Sequence, residues 1–130
     1  MCECSARKTM GCPCLKSAMI YGSRDIRVEE AEVPTMGSED VLIRVHFCGI
    51  CGSDVHRYQQ DAFGQHWRYP MNSGHEYGGV VARVGENVRQ FKVGDRVTLG
   101  VNWPTTGGAF AEYVRAANAD INLEAYRQDR

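Results

Sequence analysis

Cys48-Gly49-Ile50-Cys51-Gly52-Ser53-Asp54-Val55-His56 and Gly74-His75-Glu76-Tyr77-Gly78-Gly79 are the two stretches that dominate this chain. The first gathers thiols, a hydroxyl, a carboxylate and an imidazole into nine residues. The second sets an imidazole beside a carboxylate between glycines. Cys, His and Glu are the donor types that zinc prefers, so the pair of loops reads as a metal site assembled from two places in the chain.

Working outward, Val41-Leu42-Ile43-Arg44-Val45-His46-Phe47 leads into the first loop as a strand. Val41, Ile43, Val45 and Phe47 are expected on one face, with Arg44 and His46 on the other. A lone strand histidine such as His46 is more often solvated than a ligand. After Cys51, Ser53 is a good N-cap and Asp54 suits the positive end of a helix, which is expected over Asp54 to Gln60. Asp61 to Pro70 is a loop carrying Phe63, His66, Trp67 and Tyr69, either a packed lid or, slightly favoured, a wall of a substrate pocket.

Ala18 to Tyr21 and Ile26 to Val33 read as a strand pair joined by a turn at Gly22-Ser23-Arg24-Asp25. Strands are expected at His75 to Val84, Arg96 to Val101 and Ala109 to Val114. Turns fall at Gly85-Glu86-Asn87, Gly94-Asp95 and Thr105 to Gly108. Many short strands with turns every eight to twelve residues describe a compact, mainly β body with short helices, close to a barrel. Beyond Ala116 the chain is polar and weakly patterned, with a helical turn expected over Asn122 to Arg127.

At 130 residues the chain is one domain, long enough to bury a core without disulfides. A net charge of -1 without a basic stripe argues against nucleic acid or an anionic membrane as partner. No apolar run approaches a membrane span, and residues 1–16 lack the apolar core of a secretory signal. The six cysteines are therefore read as free or metal-bound thiols in a reducing, cytoplasmic setting. Cys2, Cys4, Cys12 and Cys14 form two Cys-x-Cys pairs, a spacing tighter than structural zinc sites use. They are read as a flexible leader rather than a metal clip. Cys48 and Cys51 form a Cys-x-x-Cys between a strand and a helix, which also fits a thioredoxin-like redox pair. That rival expects longer helices alternating with strands, and it gives Gly74-His75-Glu76 no task.

In order and spacing, Gly49 to His56, Gly74 to Val81, Val84-Gly85, Lys92-Val93-Gly94-Asp95-Arg96-Val97 and Gly108-Ala109-Phe110-Ala111-Glu112-Tyr113 resemble the medium-chain zinc-dependent alcohol and polyol dehydrogenases. The resemblance covers roughly Ser17 to Val114. It implies that family's GroES-like catalytic domain, a partly open β-barrel, over 17–115. Residues 1–16 are the leader and 116–130 a tail cut before a Rossmann domain.

The resemblance also implies roles. Cys51 and His75 are zinc ligands. Glu76 lies beside the metal as ligand or in exchange with water. Ser53 contacts the substrate alcohol and begins a proton relay that His56 passes toward solvent. Asp54 holds the imidazole of His75. Gly52 replaces the basic residue that many relatives place near the cofactor phosphates. The family's third protein ligand, a Cys or Glu, falls beyond residue 130, leaving Cys48, Glu76 or water to complete the site.

Two departures shape the functional expectation. Leu99 to Gly108 contains no cysteine, and Asn102-Trp103-Pro104 stands where relatives with a structural zinc carry four cysteines, so no such zinc is expected. No Gly-x-Gly-x-x-Gly occurs, so NAD(P) is expected only if a nucleotide-binding domain is supplied elsewhere. The expected function is oxidation of a small-molecule alcohol or polyol, weak or absent in these 130 residues alone. A homo-oligomer or an assembly with a cofactor-domain partner fits that expectation. The alternative is a non-catalytic zinc-binding module or truncated regulator of a full-length relative.

Overall fold

The computed structural model describes residues 14–60, 67–99, 108–117 and 123–125. Eight strands and one helix follow in order: β1 (Cys14–Gly22), β2 (Asp25–Glu32), β3 (Val41–Gly49), α1 (Gly52–Gln59), β4 (Met71–Asn72), β5 (Glu76–Val84), β6 (Arg96–Leu99), β7 (Tyr113–Ala116) and β8 (Leu123–Ala125). They form two antiparallel sheets, ordered β2-β1-β4 and β7-β3-β5-β6-β8. Neither sheet closes on itself, which gives the mainly β body that the turn spacing anticipates, in the partly open form that the resemblance implies.

The segment before β7 ties the sheets together. Ala111 bridges to Ser17, Ala18 N–H donates to Phe110 C=O at 2.8 Å, and Val45 N–H donates to Glu112 C=O at 2.9 Å. The core lies on the inner face of the five-stranded sheet, where Val41, Ile43, Tyr77, Val81, Val97 and Val114 pack with Val88 and Phe91 from the loop between β5 and β6. Alternating β-branched residues on β3 and β5 supply this face, as a pleated strand requires. Gly79 lets the two strands approach: a Cβ there would lie 2.1 Å from the Arg44 carbonyl oxygen.

Several expectations shift. The helix starts at Gly52, so its N-cap is Cys51, in extended backbone, and not Ser53. Asp54 sits at the third helical position and reaches back to accept the Cys51 N–H at 2.9 Å. A carboxylate there satisfies the N-cap N–H, the reciprocal half of a capping box. Phe47 leaves the buried face and is 66% exposed. The pairing of β3 with β5 slips between Val45 and Phe47, and the extra residue turns the ring outward over Gly78. Ala109 to Glu112 is irregular apart from its one bridge, and the strand begins at Tyr113.

The helical turn expected over Asn122 to Arg127 is replaced at Leu123–Ala125 by strand β8, paired with the open edge of β6. Edge pairing satisfies backbone groups that a weakly patterned sequence does not advertise. Cys14 is disulfide-bonded, contrary to the reading of every thiol as free or metal-bound, while Cys48 and Cys51 are free. Trp67 and Tyr69 engage α1: the Trp67 ring stacks on the Arg57 guanidinium at 4.6 Å, and Tyr69 Oη donates to the Arg57 carbonyl at 2.8 Å. Phe63, His66, Cys2, Cys4, Cys12 and the Asn102-Trp103-Pro104 loop lie outside the described residues.

Candidate metal centre

The end of β3 and the start of α1 deliver Cys51. The short connection from β4 to β5 delivers His75 and Glu76. Ligand atoms of the three side chains all lie within 4.8 Å of one another. Tetrahedral zinc with bonds of about 2.0 to 2.3 Å sets its donors about 3.3 to 3.8 Å apart, so the trio needs to close by about 1.5 Å at most. Cys51 and His75 are half-buried and Glu76 is exposed, a rim position open to a small molecule. A thiol, an imidazole and a carboxylate form a donor set that fits zinc, and this is the trio read from the sequence.

Backbone geometry makes the trio possible. Gly49 pairs with Glu76 across β3 and β5, and a Cβ on Gly49 would lie 2.9 Å from Glu76 Oε2. Gly74 has φ +95°, and a Cβ there would meet the Phe110 nitrogen at 2.8 Å and Cys48 Sγ at 2.9 Å. Only glycine suits that conformation and that crowding. The segment that carries His75 is pinned from the other side, where Ala109 N–H donates to Gly74 C=O at 3.2 Å and Phe110 N–H to Ser73 C=O at 3.0 Å.

Asp54 joins the two loops. One oxygen, Oδ2, accepts the Cys51 N–H. The other, Oδ1, accepts from Arg57 Nη1 at 3.2 Å, from Gly74 N–H at 3.3 Å and from the Ser73 hydroxyl. It also lies 3.6 Å from His75 Nδ1. His75 Nε2 is thus directed away from Asp54, with the Ser53 hydroxyl 3.4 Å from it. His56 follows Ser53 by three residues on α1 and is likewise half-buried, so the two share a helix face.

Cys48 does not belong to the trio. Burial pushes its thiol up to about 11, and it packs behind Gly74. Gly52 has open space where a Cβ would be. Sequence reading missed Arg57 and Ser73, both buried around Asp54. The Asp54/Arg57 spacing of three on a helix was the signal for the first. Ser73 left none.

A family model described as alcohol dehydrogenase GroES-like domain matches residues 37–123. Mouse sorbitol dehydrogenase is 44% identical over 84 residues, 64% of this chain and 24% of that protein. The sorbitol dehydrogenase of Bacillus subtilis is 43% identical over 86 residues, 65% of this chain and 24% of that protein. Among solved structures, 2R,3R-butanediol dehydrogenase from Bacillus subtilis superposes with TM-score 0.75 at 31% identity, over 88% of this chain and 41% of that one. The chain spans about a quarter of the length of the curated relatives it matches. An open antiparallel barrel, a Cys/His/Glu trio on two glycine-shaped loops and a family match over well more than half the sequence converge: this chain belongs to the alcohol dehydrogenase GroES-like domain family.

Proposed function

We propose that this chain is the metal-holding catalytic part of a zinc-dependent dehydrogenase that oxidises the CH–OH group of a small alcohol or polyol with NAD(P). The observation that carries the reading is the approach of Cys51, His75 and Glu76 to within 4.8 Å. These three residues would hold the zinc. Zinc supplies Lewis acidity, making an alcohol proton easier to remove near neutral pH. Ser53, beside His75, would take that proton as it gives up its own hydroxyl proton, which His56, one helical turn on, would pass toward solvent. Asp54 fixes the ring of His75 so that Nε2 serves the metal.

No residue among these 130 is assigned to the dinucleotide, because no glycine-rich phosphate cradle occurs in the sequence, and no step is derived through it. A cofactor-binding domain or partner completes the enzyme. Exposed Phe47, Ile50 and Val55, on and just after β3, support a covered face there. The organisation into leader 1–16, catalytic domain 17–115 and tail 116–130 belongs to the same proposal. β1 beginning at Cys14 and β8 pairing with β6 extend the barrel at both ends. Among the described residues no helix is long and apolar enough to cross a membrane. Cytoplasmic placement draws on the free thiols of Cys48 and Cys51, with the Cys14 disulfide as the observation against it.

Metal analysis of the purified chain tests the reading. One zinc per chain is expected, lost in Cys51→Ser and in His75→Ala; equal zinc in all three proteins refutes it. A non-catalytic zinc module shares this site and separates from the dehydrogenase by alcohol-dependent NAD(P) reduction once a cofactor domain is present. The raised Cys48 thiol speaks against a Cys48/Cys51 redox pair, and insulin reduction by the chain is the outcome that would restore it.

A further inference from the structure

Arg57 is 8% exposed and closes a ring of bonds behind Cys51, His75 and Glu76. Its Nη1 donates to Asp54 Oδ1 at 3.2 Å and to Ser73 Oγ at 2.9 Å. The Ser73 hydroxyl in turn donates to the same Asp54 oxygen. Its guanidinium lies under the Trp67 ring, and its carbonyl receives the Tyr69 hydroxyl. The side chain is therefore held from three sides.

We propose that Arg57 is a positioning residue of the metal centre: through Asp54 it sets the distance and orientation between the Cys51 loop and the His75 loop. This deepens the zinc reading above and rests on it. Asp54 is 4% exposed and contacts both loops, one per carboxylate oxygen. A buried carboxylate is tolerable only when paired and fully hydrogen-bonded. Arg57 supplies the charge, and with Ser73 it supplies the two side-chain donors that define how the carboxylate is rotated. With Arg57 gone, Asp54 is free to turn or to draw in water, and the facing edge of His75 loses a fixed partner. Groups behind metal ligands act on affinity in this way, by roughly 10- to 100-fold. The guanidinium is preferred over an ammonium because its flat face stacks on the Trp67 indole while Nη1 serves both acceptors.

The experiment measures zinc affinity of the purified full chain by competition with a chromophoric chelator, and records the visible spectrum of the cobalt-loaded protein. Urea melts of the metal-free proteins establish that each variant folds. Arg57→Gln is expected to weaken zinc about 10- to 100-fold and to shift the cobalt bands, which report ligand geometry. Arg57→Lys is expected to recover part of the affinity, because it restores the charge and donors but not the flat face that stacks on Trp67.

A folded Arg57→Gln protein with wild-type zinc affinity and an unshifted cobalt spectrum overturns the proposal while leaving the zinc reading intact. If Arg57→Gln does not fold, Ser73→Ala decides. It removes only the bridging hydroxyl, and is expected to weaken zinc about tenfold with the same spectral shift. An unchanged Ser73→Ala protein overturns the proposal. Failure of the wild-type chain to bind zinc at all overturns the reading beneath it and the proposal with it.

Discussion

Gly49→Ala separates the metal site from the fold. Gly49 lies at the end of β3 opposite Glu76, and it does not need a left-handed backbone, so alanine suits its conformation. The added methyl meets Glu76 Oε2 at 2.9 Å and Glu76 Cβ at 3.3 Å. Ordinary contact begins at 3.4 Å, so the carboxylate must retreat by about 0.5 Å (3.4 less 2.9). A metal–oxygen bond tolerates about 0.2 Å. The carboxylate is the far end of a flexible, exposed side chain and can swing into solvent at little cost. Overpacking of about 1 to 3 kcal/mol is thus met at its low end, and alanine returns roughly 0.5 to 1 kcal/mol of backbone entropy within a strand. A net loss of about 1 kcal/mol or less is expected, roughly 4 °C in Tm for a chain of this size. Zinc affinity, in contrast, is expected to fall about 10- to 100-fold, as for other displaced site groups. Thermal melts of the metal-free protein and chelator competition measure the two effects side by side. A Gly49→Ala protein that melts normally and binds zinc as tightly as wild type refutes the placement of Glu76 at the metal.

Gly79→Ala provides the opposite case: its Cβ would sit 2.1 Å from a carbonyl oxygen of β3, which cannot move without parting the two central strands, so circular dichroism should report loss of the fold. Tyr77→Phe is expected to be neutral or to stabilise by about 1 kcal/mol in urea melts, because Tyr77 Oη is buried without a hydrogen-bond partner among the described residues; a loss above about 1 kcal/mol would reveal a partner. Alkaline pH should weaken the fold. Burial pushes Cys48 from 9.0 up to about 11 and Tyr77 from 10.0 up to about 12, so the unfolded chain releases these protons first. Their contribution is fully present below pH 9 and declines as pH rises toward 11 and 12. Urea midpoints that stay constant from pH 9 to 11 in the metal-free protein contradict this.

The barrel was legible because its punctuation is glycine. Gly74 and Gly94 hold positive φ, and Gly79 and Gly85 abut carbonyl oxygens, so each is required by backbone geometry that sequence reports directly. The approach of Cys51, His75 and Glu76 was legible for a related reason: ligand chemistry restricts residue type more tightly than packing does. Phe47 misled because alternation assumes an unbroken ladder, and a slip in pairing after Val45 reverses the face. β8 was invisible because three residues on an edge are chosen by the neighbour's unpaired backbone, not by their own pattern. Ser53 is a favourable cap by composition, but Asp54 took the Cys51 N–H because its carboxylate also had Arg57 on its own helix and two donors, Ser73 and Gly74, on the far loop.

At Asp54, unlike Gly49, the site and the fold depend on the same contacts. Cys51 and His75 lie in segments with no strand pairing between them, since Cys51 follows the last paired residue of β3 and His75 precedes the first of β5. What spans this gap is Asp54, with one oxygen on each segment. A residue chosen only to begin a helix would need one acceptor, and a residue chosen only to face His75 would need no contact with Cys51. The carboxylate meets both demands at the cost of burying a charge, which Arg57 and Ser73 then offset. Asp54→Asn keeps the size but replaces an acceptor with a donor facing Arg57, Ser73 or the Cys51 N–H. It is expected to cost more stability, in the range of about 3 to 5 kcal/mol for a broken buried pair, than loss of any one zinc ligand in the metal-free protein. Urea melts in which His75→Ala is the more destabilising of the two would show that the loops meet for some other reason.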